Sequence, residues 1–370
     1  MINKDYFIFK DIVDKFVFVG EFIDVKPFGK GHINDTFEVH FKKENNLIHR
    51  YIIQRINIDV FKSPKNLMEN IENVTNHLRK KIIEQGGDCN RETLNVIKTI
   101  NGSNLYKSSE GDYWRSYIAI EGAKTYQVVE NLDHFYNAGR ALGKFQEMLL
   151  DFPVKTLHES IPDFHNTKKR YKDFLMAVSN DVMDRVKYIR NEIDFVMKRA
   201  EETDVLISLQ KQGKLKTRVT HNDTKFNNVM IDDITGEGIC ILDLDTVMPG
   251  LSLYDFGDSI RSGANPAEED ERDLSKVCMD INLFESYTKG YLEVFGQALS
   301  KIELEHLPFS AKLMTFECGM RFLTDYINGD VYFKIHRKNH NLDRARTQFK
   351  MVEDMEEKFE EMKKIVNYLA

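Results

Sequence analysis

Residues 220–245 read THNDTKFNNVMIDDITGEGICILDLD. The first nine positions crowd a histidine, an acid, a lysine and asparagines between KTRV upstream and VMI downstream. A merely solvated loop rarely needs that order of residue types. Beyond it, VMI, the turn DDITGEG and ICILDLD read as the two strands of a short hairpin. The returning strand is apolar until it meets Asp243 and Asp245. A polar loop therefore enters a hairpin whose far end carries two carboxylates.

Outward from this stretch the chain has two textures. Residues 1–120 read as a β-rich lobe. EFIDVKPFG and DTFEVHF are strands around the turn GKGHIN, and HRYIIQRI is a third. SPKNLMENIENVTNHLRKKIIEQGG is a helix, with Ser63 as cap, Pro64 at the first helical position and Gly86–Gly87 as the stop. Leu67, Ile71, Val74, Leu78 and Ile82 form its apolar stripe. TLNVIKTI, LYKS and YWRSYIAI supply further strands. Residues 121–370 are mostly helical, starting with Phe135, Ala138, Leu142, Phe145 and Leu149 on one face. Longer helical patterns cover about 168–210, 276–299, 308–328 and 342–368. The expected fold class is α+β: a small β-rich N-lobe and a larger helical C-lobe that becomes β only around the polar cluster.

Composition narrows the function. Of 370 residues 42% are hydrophobic, enough for a sizeable core, and the net charge of −7 is spread along the chain. That argues against nucleic acid as the partner. Cys89, Cys240, Cys278 and Cys318 lie far apart with no CxxC pair, so neither a zinc site nor a disulfide framework is expected. The N-terminal MINKDYFIFKDIVDKF breaks its apolar residues with charges, and no later segment is long enough to span a bilayer. A cytoplasmic protein without membrane contact is expected; its oligomeric state is not legible.

Residues 221–228 match H-x-D-x-x-x-x-N, with His221, Asp223 and Asn228 at the fixed places. Protein kinases carry this spacing in their catalytic loop. Phosphoryl transfer asks mainly for positioning and charge neutralisation, so a carboxylate must face the incoming hydroxyl while an amide oxygen faces a metal. Lys225, two residues after the acid, suits a phosphate contact. Asp243 sits where a second metal carboxylate belongs, and Asp245 shares its side if the chain stays extended. In FGKGHIN, Gly29 and Gly31 can offer backbone N–H groups to phosphates. The bland readings are a loop-capping Asp223, a turn-satisfying Asn228, a structural His221 and an Asp245 that only caps a helix.

These motifs resemble the aminoglycoside phosphotransferase-like family of small-molecule kinases. GHINDTF, YIIQRIN…VF, LMENIENVT, IPDFHNT and FECGMRFLTDYINGDVYFK are similar to its N-acetylhexosamine 1-kinase subgroup. The resemblance implies a bilobal, protein-kinase-like fold and ATP- and Mg²⁺-dependent phosphorylation of a sugar at its anomeric hydroxyl. It implies Asp223 as base, Asn228 and Asp243 as Mg²⁺ ligands, and Lys225 as phosphate contact. Where protein kinases place a lysine on the third strand, this chain has Gln54 and Arg55, and either can reach the nucleotide; its helix partner is Glu69 or Glu72. Adenine recognition falls on backbone near Ile118 and Ile120. Arg321, Asp325 and Tyr332, with Asn34 and Asp35, are the candidate sugar contacts. An Arg321–Asp325 intrahelical ion pair is the rival reading. Two alternative functions remain: a kinase of another small alcohol (aminoglycoside, choline, homoserine), and a kinase-like binding module without catalysis.

Overall fold

The alternation of apolar and polar residues in 21–56 builds a meander whose inner face is covered by the N-terminal helix. In this computed structural model, which describes residues 4–29 and 33–370, helix α1 (Lys4–Val13) precedes β1 (Glu21–Pro27), β2 (Asp35–Lys42) and β3 (Ile48–Ile56). After α2 (Pro64–Glu84) come β4 (Val96–Ile97), β5 (Tyr106–Lys107) and β6 (Tyr113–Ile118). The sheet order is β1-β2-β3-β6-β4, with β5 also on β6, and every pairing is antiparallel. Val39, Phe41, Tyr51, Ile53 and Trp114 point from one face onto Ile12, Val13 and Phe16. These apolar positions share a side because strand side chains alternate with period two. The chain divides into two compact units, and this sheet belongs to the one made of Met1–Ala123 with Lys155–Ile161.

The other unit, Lys124–Val154 with Pro162–Ala370, is built on helices. Past β7 (Ala123–Lys124), α3 (Leu132–Met148) packs along α8 (Ile281–Phe295). The approach is close: a Cβ on Gly139 would lie 2.4 Å from the Tyr287 carbonyl oxygen. Helix α7 (Ser252–Gly263) lies on α9 (Lys301–Ile327) in the same way, with Gly257 against the Ser310 carbonyl. Helices α10 (His340–Glu357) and α11 (Phe359–Leu369) cover α9 further. The β insertion consists of β8 (Arg218–Thr220) paired with β11 (Met248–Gly250), and the hairpin β9 (Val229–Asp232)–β10 (Gly238–Ile241).

Several local expectations are corrected. Ser63 precedes α2, but its side chain makes no capping bond. The pattern at 168–210 is α4 (Thr167–Asn180), α5 (Arg190–Lys198) and α6 (Val205–Lys211), joined by 3-10 turns. Asp181 and Asp184 take φ of +38° and +53°, values that end a right-handed helix. Helix α9 begins at Lys301, ahead of the expected 308, because Ser300 and Glu303 form a capping box. Pro308 falls in its second turn and is accommodated there. The last pattern breaks at Lys358 into α10 and α11. Among the described residues, no helix is long and apolar enough to cross a membrane.

Candidate active site

Loop 221–228 leaves β8 and is tied down almost atom by atom. The Asp255 carboxylate, on α7, accepts the N–H of His221 (2.9 Å) and of Asn222 (2.7 Å), and Gln146 Nε2 donates to it (2.8 Å). Burial pushes the Asp255 carboxyl above its ordinary value, since these neutral donors do not replace bulk water. His221 donates from Nε2 to the Leu242 carbonyl (2.7 Å), while its Nδ1 accepts the Asp223 N–H (3.2 Å). One donor and one acceptor specify a neutral ring with its proton on Nε2. The Asn222 side chain bonds Thr220 and Thr246, and its backbone takes φ +65°. Thr224 donates to the Asp255 carbonyl and Ser259 to the Thr224 carbonyl.

With its backbone fixed, the loop presents three side chains. Lys225 Nζ stands 3.1 Å from Asp223 Oδ1, and both side chains keep part of their surface exposed, at 40% and 25%. Burial raises the Asp223 carboxyl, but the positive charge around it, Lys225 foremost, together outweighs burial and holds the acid below its usual range. In turn Asp223 lifts Lys225, against burial. The pair is thus an ionised carboxylate beside a permanent cation. Asn228 Nδ2 donates to the Asp223 carbonyl (2.8 Å), which directs its Oδ1 the other way. Leu242 N–H donates to the Asn228 carbonyl (2.7 Å), so Asn228 and the exposed Asp243 sit beside one another across the hairpin.

Asp243 takes φ +55° where β10 ends, and residues 244–246 coil into a 3-10 turn. The extended chain that would have put Asp245 on the same side is absent, and Asp245 is buried at 3% exposure. The two hard donors that the hairpin brings side by side are therefore Asn228 and Asp243. An amide oxygen and a carboxylate are hard donors that suit Mg²⁺, which keeps its other positions for phosphate and water.

The Arg321 guanidinium, on α9, lies over the rings of Phe164 (5.0 Å), Phe333 (5.6 Å) and Tyr332 (6.0 Å). It makes no hydrogen bond or ion pair with any described residue. Burial lowers Arg170, and the neighbouring Arg321 charge lowers it further. The expected Arg321–Asp325 pair is not formed. Asp325 instead accepts the N–H groups of Val331 (3.0 Å), Tyr332 (2.9 Å) and Phe333 (3.0 Å), and Asn341 Nδ2 donates to it (2.9 Å). Its carboxylate is consumed in holding the Tyr332 loop, which corrects its reading as an open sugar ligand.

In the sheet unit, Gly29 has φ +74° after β1, while Gly31 lies outside the described residues. Asn34 Oδ1 accepts the Asn57 N–H (2.9 Å), and Asp35 pairs with Arg55 (2.9 Å from Nε). Both are thus engaged within this unit, Asp35 with 45% of its side chain still exposed. Arg55 also reaches Asp112, at 3.4 Å. Gln54 donates to Thr36 Oγ1 and accepts from Arg115 Nε, both at 2.9 Å. Arg115, buried at 1%, was not singled out in the sequence. Glu72 pairs with Lys98, and Glu69 with His158. Ile118 N–H already donates to the Asn95 carbonyl, so it offers no free donor to a base; Ile120 is buried.

The profile of the phosphotransferase enzyme family matches residues 24–280, well over half of the chain. The chain belongs to the phosphotransferase enzyme family. Solved structures of similar fold include an aminoglycoside phosphotransferase from Alicyclobacillus acidocaldarius, at TM-score 0.64 and 11% identity over 97% of this chain and 96% of that one. An amicoumacin kinase in complex with AMP-PNP and Ca²⁺ matches at TM-score 0.59 and 14% identity, over 94% and 93%. A choline kinase from Cryptosporidium parvum matches at TM-score 0.55 and 14% identity, over 93% and 92%. This phosphotransferase therefore has the kinase-like α+β fold, with a sheet-rich N-terminal region and a helical C-terminal region.

Asp255, like Arg115, was missed in the sequence reading. Its signal is the helical run LYDFGDSI, which sets two acids, Asp255 and Asp258, among large apolar side chains, where a buried charge must be used.

Proposed function

We propose that this phosphotransferase moves the terminal phosphoryl group of ATP to the anomeric hydroxyl of an N-acetylhexosamine. Asp223 accepts the hydroxyl proton as the oxygen attacks, and its low-lying carboxyl is ionised and ready to do so. Lys225 meets the charge of the migrating group. Asn228 and Asp243 would hold Mg²⁺, which would neutralise charge on the phosphate oxygens. Gln54, Arg115 and the turn at Gly29 are the nucleotide-facing candidates of the sheet unit.

Arg321 carries the choice of acceptor. Choline and aminoglycosides bring positive charge, which calls for carboxylates or open aromatic faces. Here the aromatic faces of Phe164, Tyr332 and Phe333 are already spanned by the guanidinium, and the two carboxylates one turn either side of it on α9 are committed, Glu317 to His165 and Thr167 and Asp325 to backbone and Asn341. A donor-rich, cationic wall suits the hydroxyl and acetamido oxygens of a neutral sugar.

The test is ADP release with Mg²⁺-ATP across N-acetylglucosamine, N-acetylgalactosamine, glucose, galactose, choline, ethanolamine and an aminoglycoside. Turnover of an acetylated sugar is expected, and Asp223→Asn should lower it about 10²- to 10⁴-fold. Arg321→Ala should raise the sugar KM while leaving the ATP KM near its original value. Turnover confined to a cationic acceptor would overturn the sugar reading.

A further inference from the structure

We infer that His165 is a positioning residue: a doubly protonated imidazole, clamped between Glu317 and the Asn222 carbonyl, that ties the Asp223 peptide to the helix carrying Arg321. The inference rests on the proposed reading of Asp223 as base and Arg321 as acceptor contact.

His165 comes from IPDFHNT, a segment that the catalytic argument left unused. Its ring is buried at 8% exposure. Nδ1 lies 2.8 Å from Glu317 Oε1, and Nε2 lies 3.0 Å from the Asn222 carbonyl oxygen. A backbone carbonyl can only accept, so Nε2 carries a proton. The other Glu317 oxygen accepts the Thr167 hydroxyl. Burial raises the Glu317 carboxyl, but His165, Thr167 and Arg321 outweigh it and hold it below the usual carboxylate range. A 2.8 Å contact between Nδ1 and a carboxylate oxygen needs a proton between them, and imidazole is ordinarily the stronger base of the two, so Nδ1 carries it. The contrast with His221, whose ring faces one acceptor and one donor, is drawn by the same hydrogen-bond logic.

The carbonyl that His165 grips belongs to the peptide joining Asn222 to Asp223. Asp255 holds this loop by its N–H groups from α7, and His165 holds it by a carbonyl from the segment before α4. The same segment reaches the acceptor side twice. Phe164 lies under the Arg321 guanidinium, and Glu317 is one helical turn before Arg321 on α9. The groups around the ring are Glu317, Thr167, the Asn222 carbonyl and the rings of Phe164 and Tyr254, 4.6 and 5.2 Å away. Arg321 acts on Glu317, and Arg170 stands beside Arg321. One dipeptide, Phe164–His165, thus sets the spacing between base and acceptor cation. A displacement of about 1 Å between reacting groups costs on the order of 100-fold in rate, so this spacing bears on kcat.

The test has a spectroscopic arm and a kinetic arm. In histidine-selective ¹⁵N NMR of the full chain, with His165→Gln used to assign the signals, both His165 ring nitrogens are expected in the protonated range at neutral pH. Glu317→Gln keeps the volume and removes the charge. It should convert the ring to a neutral pattern and lower kcat about 10- to 100-fold, with the ATP KM within about twofold. Thr167→Val, which leaves both ring bonds in place, should fall between the two. A neutral wild-type ring, or a folded Glu317→Gln protein with unchanged kcat, would overturn the proposal. The spectrum needs no acceptor, so it decides the role of His165 even if the sugar reading fails.

Discussion

At the scale of single residues, the site works by committing nearly every polar atom except those that chemistry needs. Asp255 shows the cost of the arrangement. Its carboxyl is buried at 0% exposure and satisfied by two backbone N–H groups and Gln146. In Asp255→Ala those N–H groups lose their partner inside the protein, and each buried unsatisfied donor costs about 1–3 kcal/mol. We expect about 3 kcal/mol less stability in urea unfolding, together with loss of turnover, because the released loop no longer aims Asp223. A variant of wild-type stability would mean that the loop is held elsewhere. Asp325 makes a parallel case with a different readout. Asp325→Ala frees the N–H groups of 331–333, so the acceptor KM should rise while the ATP KM holds. Equal shifts in both constants would contradict its assignment to the Tyr332 loop.

At the scale of elements, α9 connects the parts. Glu317, Arg321 and Asp325 recur every four residues and therefore share a face. In sequence that spacing suggested an ion pair between the last two. In the fold each member has its own partners: Glu317 takes His165 and Thr167, Arg321 takes three rings, and Asp325 takes the turn that follows the helix. A face divided in this way needs α9 to sit close to α7, which carries Asp255. Gly257 allows it, since an added Cβ would lie 2.4 Å from the Ser310 carbonyl and 2.7 Å from Met314 Cγ. Because the nearest atom is backbone, little can give way. Gly257→Ala should therefore destabilise by about 1–3 kcal/mol, the usual penalty of overpacking, despite the better helix propensity of alanine. A thermal unfolding scan decides it, and an unchanged midpoint would show that the two helices separate freely.

At the scale of the whole molecule, buried acids govern how stability depends on pH. Burial raises Glu303, Glu317 and Glu356, but Arg218 with Ser300, His165 with Thr167 and Arg321, and Arg199 with Lys312 together outweigh it and leave each below its ordinary value. Asp223 behaves likewise beside Lys225. A folded carboxyl held below its unfolded value contributes stability that is complete above the unfolded pKa and is lost as pH falls through the folded one. Asp255, raised by burial, has the opposite sign and offsets part of the loss. The unfolding midpoint should thus fall most steeply below about pH 4, near the ordinary carboxylate values. A midpoint that holds or rises there would contradict the directions given. Much of the architecture needed no coordinates: the meander of 21–56, the stripe of α2 and the hairpin behind the loop are written in periods of two and 3.6 residues, which depend on near neighbours alone. The spacing of His221, Asp223 and Asn228 was equally local. What only the tertiary structure decided is which polar groups are spent. Asp325 could not be told from a ligand until the chain turned back on it at 331–333, and His165 was mute until Glu317, 152 positions away, and Asn222, 57 away, closed on its two nitrogens. A side chain's chemistry follows from its partners and its access to water, and the long-range packing of α4, α7 and α9 sets both.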